Sequence, residues 1–303
     1  MINGVFYPRM ILFNPILVIS SCRFIDLYSN GNGGAIFSSG NGSNLTLSYC
    51  SFRNCSSNMC GAICIEKPNR VATINCIEID RCHAKSIAAA LFQSNLTIIQ
   101  HVSVSHSSPY VNVCENLVLA VYFGHQKQCY INVSYTNANH HSGTHQNSPS
   151  IYEETKYIHI AHNHNCDFEF GYNIMPEGIV SRNINIINNS VKYGLVYLLS
   201  TVDAIFYDFI FKSNVGTITA QVEPWIGTCS FIHCSFDSES VTTGPYVKTI
   251  SDSVFGNNPM TTYTGYIFSH DFEKANFGSS CIIVHRFNRY IGSLFYILFS
   301  ITY

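Results

Sequence analysis

At 303 residues the chain is long enough for one large domain or two ordinary ones. Hydrophobic residues make up 47% and charged residues 11%, with a net charge of −2 when the 13 His are counted neutral, which leaves no electrostatic footprint for nucleic acid or an acidic surface. Asn and Ser, in place of Lys and Glu, compete with the helical backbone, while β-branched and aromatic residues favour strands, so the expectation is an all-β chain.

Residues 1–15 read as an N-terminal lead-in. Met10–Val18 is apolar, but Pro15 breaks it and Arg9 comes late for a signal peptide, so a non-cleaved start or an incomplete gene product is expected. From residue 16 to 270 one pattern recurs: two large apolar residues at i and i+2, then small or polar residues at i+4 and i+5. With the second apolar residue as anchor, the series is Phe24, Phe52, Ile79, Val104, Val133, Ile160, Ile186, Phe211, Phe231 and Phe255, in steps of 20 to 29 residues. Cys50–Cys55 and Cys229–Cys234 are its clearest copies. The residue two before each anchor is almost always apolar or Cys, the period-2 alternation of a strand with one buried face.

A second apolar run, introduced by small residues, follows most anchors, as in Gly33-Gly34-Ala35-Ile36-Phe37 and Cys60-Gly61-Ala62-Ile63-Cys64. One such repeat cannot bury its apolar face alone, but stacked repeats share a core. The expected fold is a right-handed single-stranded parallel β-helix, a solenoid of about ten coils over residues 16–270. The polar stretch His140–Ser150 is expected to protrude as a loop. Residues 271–303 form a C-terminal segment whose apolar tail, 290–303, is too short to span a bilayer. It is expected to be a solenoid cap, an interfacial segment or a truncated membrane anchor, the last opposed by Arg286 and Arg289 under the positive-inside rule.

Candidate chemistry dissolves into this register. Cys55 and Cys82 each lie three residues past an anchor, and Cys22 and Cys50 two before one. These spacings, with Cys60, Cys64 and Cys76 nearby, fit a ladder of stacked cysteines better than the paired close spacings of a zinc site. His162 sits where other coils carry Asn54, Asn188 and Asn257, a polar turn position, between His159 and His164. Asn163, Asn189, Asn214 and Asn258 form a column that can stack as a hydrogen-bonded ladder. The carboxylates do not cluster: Asp208 and Asp252 share a column, but Thr228 stands at that position in the coil between. Six sequons, at Asn41, Asn44, Asn54, Asn95, Asn132 and Asn188, are about as many as chance gives in so Asn-, Ser- and Thr-rich a chain. The 13 Cys favour an oxidising compartment, their odd number leaving at least one thiol unpaired within the chain.

Gly-Gly-Ala-Ile-Phe (33–37) and Phe-Arg-Asn-Cys (52–55) resemble the GGAI and FxxN repeats of polymorphic outer-membrane-protein-like β-helix proteins and of large protist surface-protein families. The resemblance implies a secreted or surface-displayed protein, sometimes adhesive, and carries over no catalytic residue. The expected function is therefore a non-enzymatic interaction or adhesion scaffold, extracellular or at the cell surface. No catalytic, cofactor or metal residues and no cofactor are expected. Expected partners are host-cell or extracellular glycans or proteins, not nucleic acid, with membrane association open through 290–303. The rival is a polysaccharide lyase or glycoside hydrolase of the pectin-lyase-like type.

Overall fold

The structure is a computed structural model that describes residues 15–39, 44–69, 71–86, 88–94, 96–105, 107–109, 117–122, 124–138, 141–147, 151–152, 155–173, 178–199, 203–216, 218–222, 228–237, 247–256, 280–287 and 296–302. Among these residues there are strands and no helix, and the strands wind into a parallel β-solenoid. The long strands Asn44–Arg53, Val71–Asp80, Leu96–Ser105 and His125–Ser134 pair in parallel, each with the next, on one side. An eight-stranded sheet running from Ile36–Ser38 to Ile218–Val222 forms a second side. A third side is four short strands: Tyr28–Ser29, Ser56–Ser57, His83–Ala84 and Ser108–Pro109.

The alternation that predicts the strands also explains their packing. In Asn44–Arg53, Leu45, Leu47, Cys50 and Phe52 are buried, and their counterparts in neighbouring coils line one continuous core. Large aromatics fill its later part, where Phe211 and Phe236 stack at 5.0 Å, Phe206 tilts against Phe209 and Phe231, and Phe209 meets Phe231 edge-on.

The anchors pair in one column, Phe24 with Phe52, Ile79, Val104, Val133, Ile160, Ile186 and Phe211 in succession. The next member is Phe236, not Phe231: Phe211 pairs with Phe236, which pairs with Phe255. Phe231 pairs instead with Phe206, in a column continuing through Ser181 to Thr155. The solenoid also makes about six turns, fewer than the ten coils expected. An anchor marks one strand on one side, whereas a full turn needs the other sides as well, and among the described residues the third side has four strands, continued by isolated bridges at Asn137–His164 and Ser190–Val215.

Two corners per coil are made by residues in the left-handed region, five positions apart. The first column holds Ser21, Tyr49, Cys76, Tyr130, Tyr157, Asn183, Asp208, His233 and Asp252, all at φ between +50° and +58°. The second holds Asp26, Asn54, Arg81, Tyr135, His162, Asn188 and Ser213. His162 thus takes the turn position its spacing predicts; Asn257 and Asn258 lie outside the described residues.

The glycines of the GGAI element are demanded by close backbone approach. A Cβ on Gly34 would lie 2.0 Å from the carbonyl oxygen of Gly61, and one on Gly143 would lie 2.1 Å from that of Glu169. Gly143 belongs to the strand His141–Asn147, which pairs with Leu117–Tyr122 and His164–Asn173. The stretch expected to protrude therefore lies mostly within a sheet, because backbone pairing does not require apolar side chains; His140 and residues 148–150 are outside the described residues.

At the other end of the stack, Pro15–Ser20 pairs antiparallel with Ser280–Phe287, which pairs antiparallel with Tyr296–Thr302. The C-terminal segment thus returns to the first coil and continues its sheet. No helix among the described residues is long and apolar enough to cross a membrane.

Candidate functional site

Between the two left-handed corners of each coil runs a short strand that turns two residues inward and leaves the residue between them on the outer face. In three successive coils that outer residue is Asn132, His159 and Asn185, which pair in register. Ile210 and Ser235 continue the row and are buried. Asn185 has no exposed surface, and neither its Oδ1 nor its Nδ2 has a hydrogen-bond partner; the buried Nδ1 of His159 has none either. Burial lowers the pKa of His159 below the ordinary imidazole value, and the charge of His162 adds to the effect.

The corners raise ridges on both sides of this row. Tyr130 stacks on Tyr157 at 4.9 Å along one ridge, with the Lys156 ammonium 5.8 Å from the centre of the Tyr157 ring. Along the other, the half-exposed Tyr135 stacks on His162 at 4.8 Å. The arrangement is a pair of aromatic ridges flanking a row of polar side chains that is closed to solvent at Asn185, so the surface it offers a ligand is the ring faces and the partly exposed Asn132 and His159.

Further along the first ridge, the corrected register places His233 between Asp208 and Asp252, where Thr228 was expected. His233 Nδ1 lies 2.5 Å from Asp208 Oδ1, while Thr228 donates from its backbone N and its Oγ1 to Asp203 Oδ1. A carboxylate, an imidazole and a second carboxylate therefore occupy successive corners, with His233 exposed.

The buried columns are structural. Asn163 Oδ1 accepts from the backbone N and Oγ1 of Thr136, each at 2.9 Å, and Asn189 Oδ1 accepts from Asn163 N at 2.9 Å. Asn214 Oδ1 accepts from Asn189 N at 3.0 Å, so the expected ladder of Asn163, Asn189 and Asn214 is continuous. Beside it Glu169, fully buried, accepts from Asn163 Nδ2 at 3.0 Å and from the Cys166 thiol at 3.1 Å. Nothing in the repeat pattern marks Glu169 as interior, and sequence reasoning missed it.

Cys55 and Cys82 occupy matching positions in adjacent coils, both buried and both free thiols. Burial pushes Cys82 well above the ordinary thiol range, Cys50 to about 11, and Cys229 and Cys234 to about 12, so these thiols stay protonated at neutral pH. Among the described residues no group of three or more His, Cys, Asp and Glu is placed to hold a metal ion.

The row Asn132, His159 and Asn185 was within reach of the sequence, since each precedes an anchor by one residue. Its place between two aromatic ridges was not, because the ridges depend on two left-handed corners in residues other than Gly. No family model, curated protein or solved structure matches the chain.

Proposed function

We propose that the protein is a non-enzymatic β-solenoid scaffold, secreted or displayed at the cell surface, that binds an extracellular glycan or protein on its ridged side. One observation carries the reading: the Tyr130–Tyr157 and Tyr135–His162 stacks that flank the partly exposed Asn132 and His159. Stacked aromatic faces beside partly exposed polar side chains suit ligand contact. The GGAI and FxxN repeats, similar to those of polymorphic outer-membrane-protein-like surface proteins, support display outside the cell. So does the disulfide at Cys22, since such bonds persist in oxidising compartments.

The test is binding of the full chain to a glycan panel and to intact host-cell surfaces, comparing wild type with Tyr135→Ala and Tyr157→Ala. Binding that weakens at least about tenfold in both variants supports the reading, as expected when an aromatic anchor is removed. Failure of the wild type to bind any member of either set would retire it. A second reading, a polysaccharide lyase or hydrolase, is favoured by the row Asp208, His233 and Asp252, whose residue types suit acid–base work. Turnover of an acidic polysaccharide that is lost in His233→Ala would establish it in place of the scaffold.

A further inference from the structure

Cys22 is disulfide-bonded. Of the 13 cysteines, ten are free thiols, and setting Cys22 aside leaves only Cys114 and Cys281 to supply the second sulfur. Cys281 belongs to Ser280–Phe287, the strand laid antiparallel along Pro15–Ser20. Their register pairs Ile19 with Ile283 and Ser20 with Ile282. One further step brings Cys281 opposite Ser21, the immediate neighbour of Cys22. Facing Cα atoms of antiparallel strands are about 5 Å apart and one residue along adds about 3.3 Å, so the diagonal is about 6 Å, within the span disulfides take.

The strands flanking Cys114, Ser108–Pro109 and Leu117–Tyr122, lie elsewhere. Ser108–Pro109 is three strand spacings, roughly 14 Å, along the stack from Tyr28–Ser29 of the first coil. Ser21, at φ +58°, turns the chain between the paired strand and Cys22, so Cys22 stands at the corner where the returning strand meets the coil.

We propose that Cys22 and Cys281 form a disulfide that fastens the returning C-terminal strand to the first coil. This goes beyond the binding role and does not depend on it. The two thiols lose two protons and two electrons as the S–S bond forms. A disulfide oxidant such as oxidised glutathione accepts them and is itself cleaved to two thiols. The bond keeps the outer edge of Pro15–Ser20 covered, an edge that would otherwise offer unpaired backbone groups to another strand.

The experiment is peptide mapping of the full chain, folded with a glutathione redox pair and digested without reductant. A linked peptide containing Cys22 and Cys281 that separates on reduction is the expected result. Reduction should also lower the thermal midpoint by roughly 5–10 °C. In Cys281→Ser, labelling with a maleimide in denaturant without reductant should count Cys22 as one additional free thiol relative to the wild type. Cys22 linked to Cys114 or to any other cysteine, or alkylated in the unreduced wild type, would overturn the proposal. The wild-type map decides the matter even if Cys281→Ser does not fold.

Discussion

Asn189 shows how one side chain serves three coils. It accepts from Asn163 N, donates to Ile160 O at 3.1 Å, and its own backbone N donates to Asn214 Oδ1. Asn189→Ala should cost about 1–3 kcal/mol, because it strands buried backbone groups on the neighbouring coil, and chemical denaturation will measure it. Gly34→Ala should cost a similar about 1–3 kcal/mol for a different reason, the carbonyl of Gly61 standing where the new Cβ must go. A thermal midpoint equal to wild type would contradict that close approach. His159 predicts a pH effect. Its pKa is lowered in the folded chain, so the unfolded chain binds that proton more readily. The contribution is therefore full above the unfolded value of about 6.5 and is lost as pH falls through it towards the lower folded value. Thermal midpoints at about pH 7.5 and pH 5 should differ less in His159→Gln than in the wild type.

Among the strands, legibility followed the backbone pattern. Nine of the ten expected anchors pair in one column, since inward alternation and repeat spacing agree at Phe24, Phe52, Ile79 and the rest. The miss at Phe231 has a physical cause. Each coil carries apolar alternation on both sides of its first corner, and Cys229–Phe231 before that corner looks like Cys50–Phe52 after it. Only backbone pairing separates them, placing Cys234 and Phe236 after the corner. That slip hid His233 behind Thr228, so the row Asp208, His233 and Asp252 could not be read in advance. His141–Asn147 was missed for the opposite reason: its strand is held by main-chain pairing and a glycine contact rather than by a run of apolar residues.

Across the whole molecule, stability is a chain of neighbour contacts, each coil resting on the next. The first coil is buttressed by Ser280–Phe287. Truncation after residue 279 should therefore uncover Pro15–Ser20 and promote self-association, read as a shift to larger species in size-exclusion chromatography. An unchanged monomeric elution would argue that the edge is protected by other means. The fold was readable because a solenoid repeats its instructions. The candidate site was not, because it is assembled across coils from residues ordinary in each. One consequence lies in the corners themselves. Among the described residues sixteen non-glycine positions hold positive φ, and none is β-branched. They are Asn, Asp, His, Ser, Tyr, Arg and Cys. The conformation required to bend the chain thus filters the surface alphabet, admitting polar and aromatic groups and turning away Val, Ile and Thr. Substitutions within that alphabet rewrite the ridges letter by letter, changing the face the solenoid presents while leaving its interior untouched.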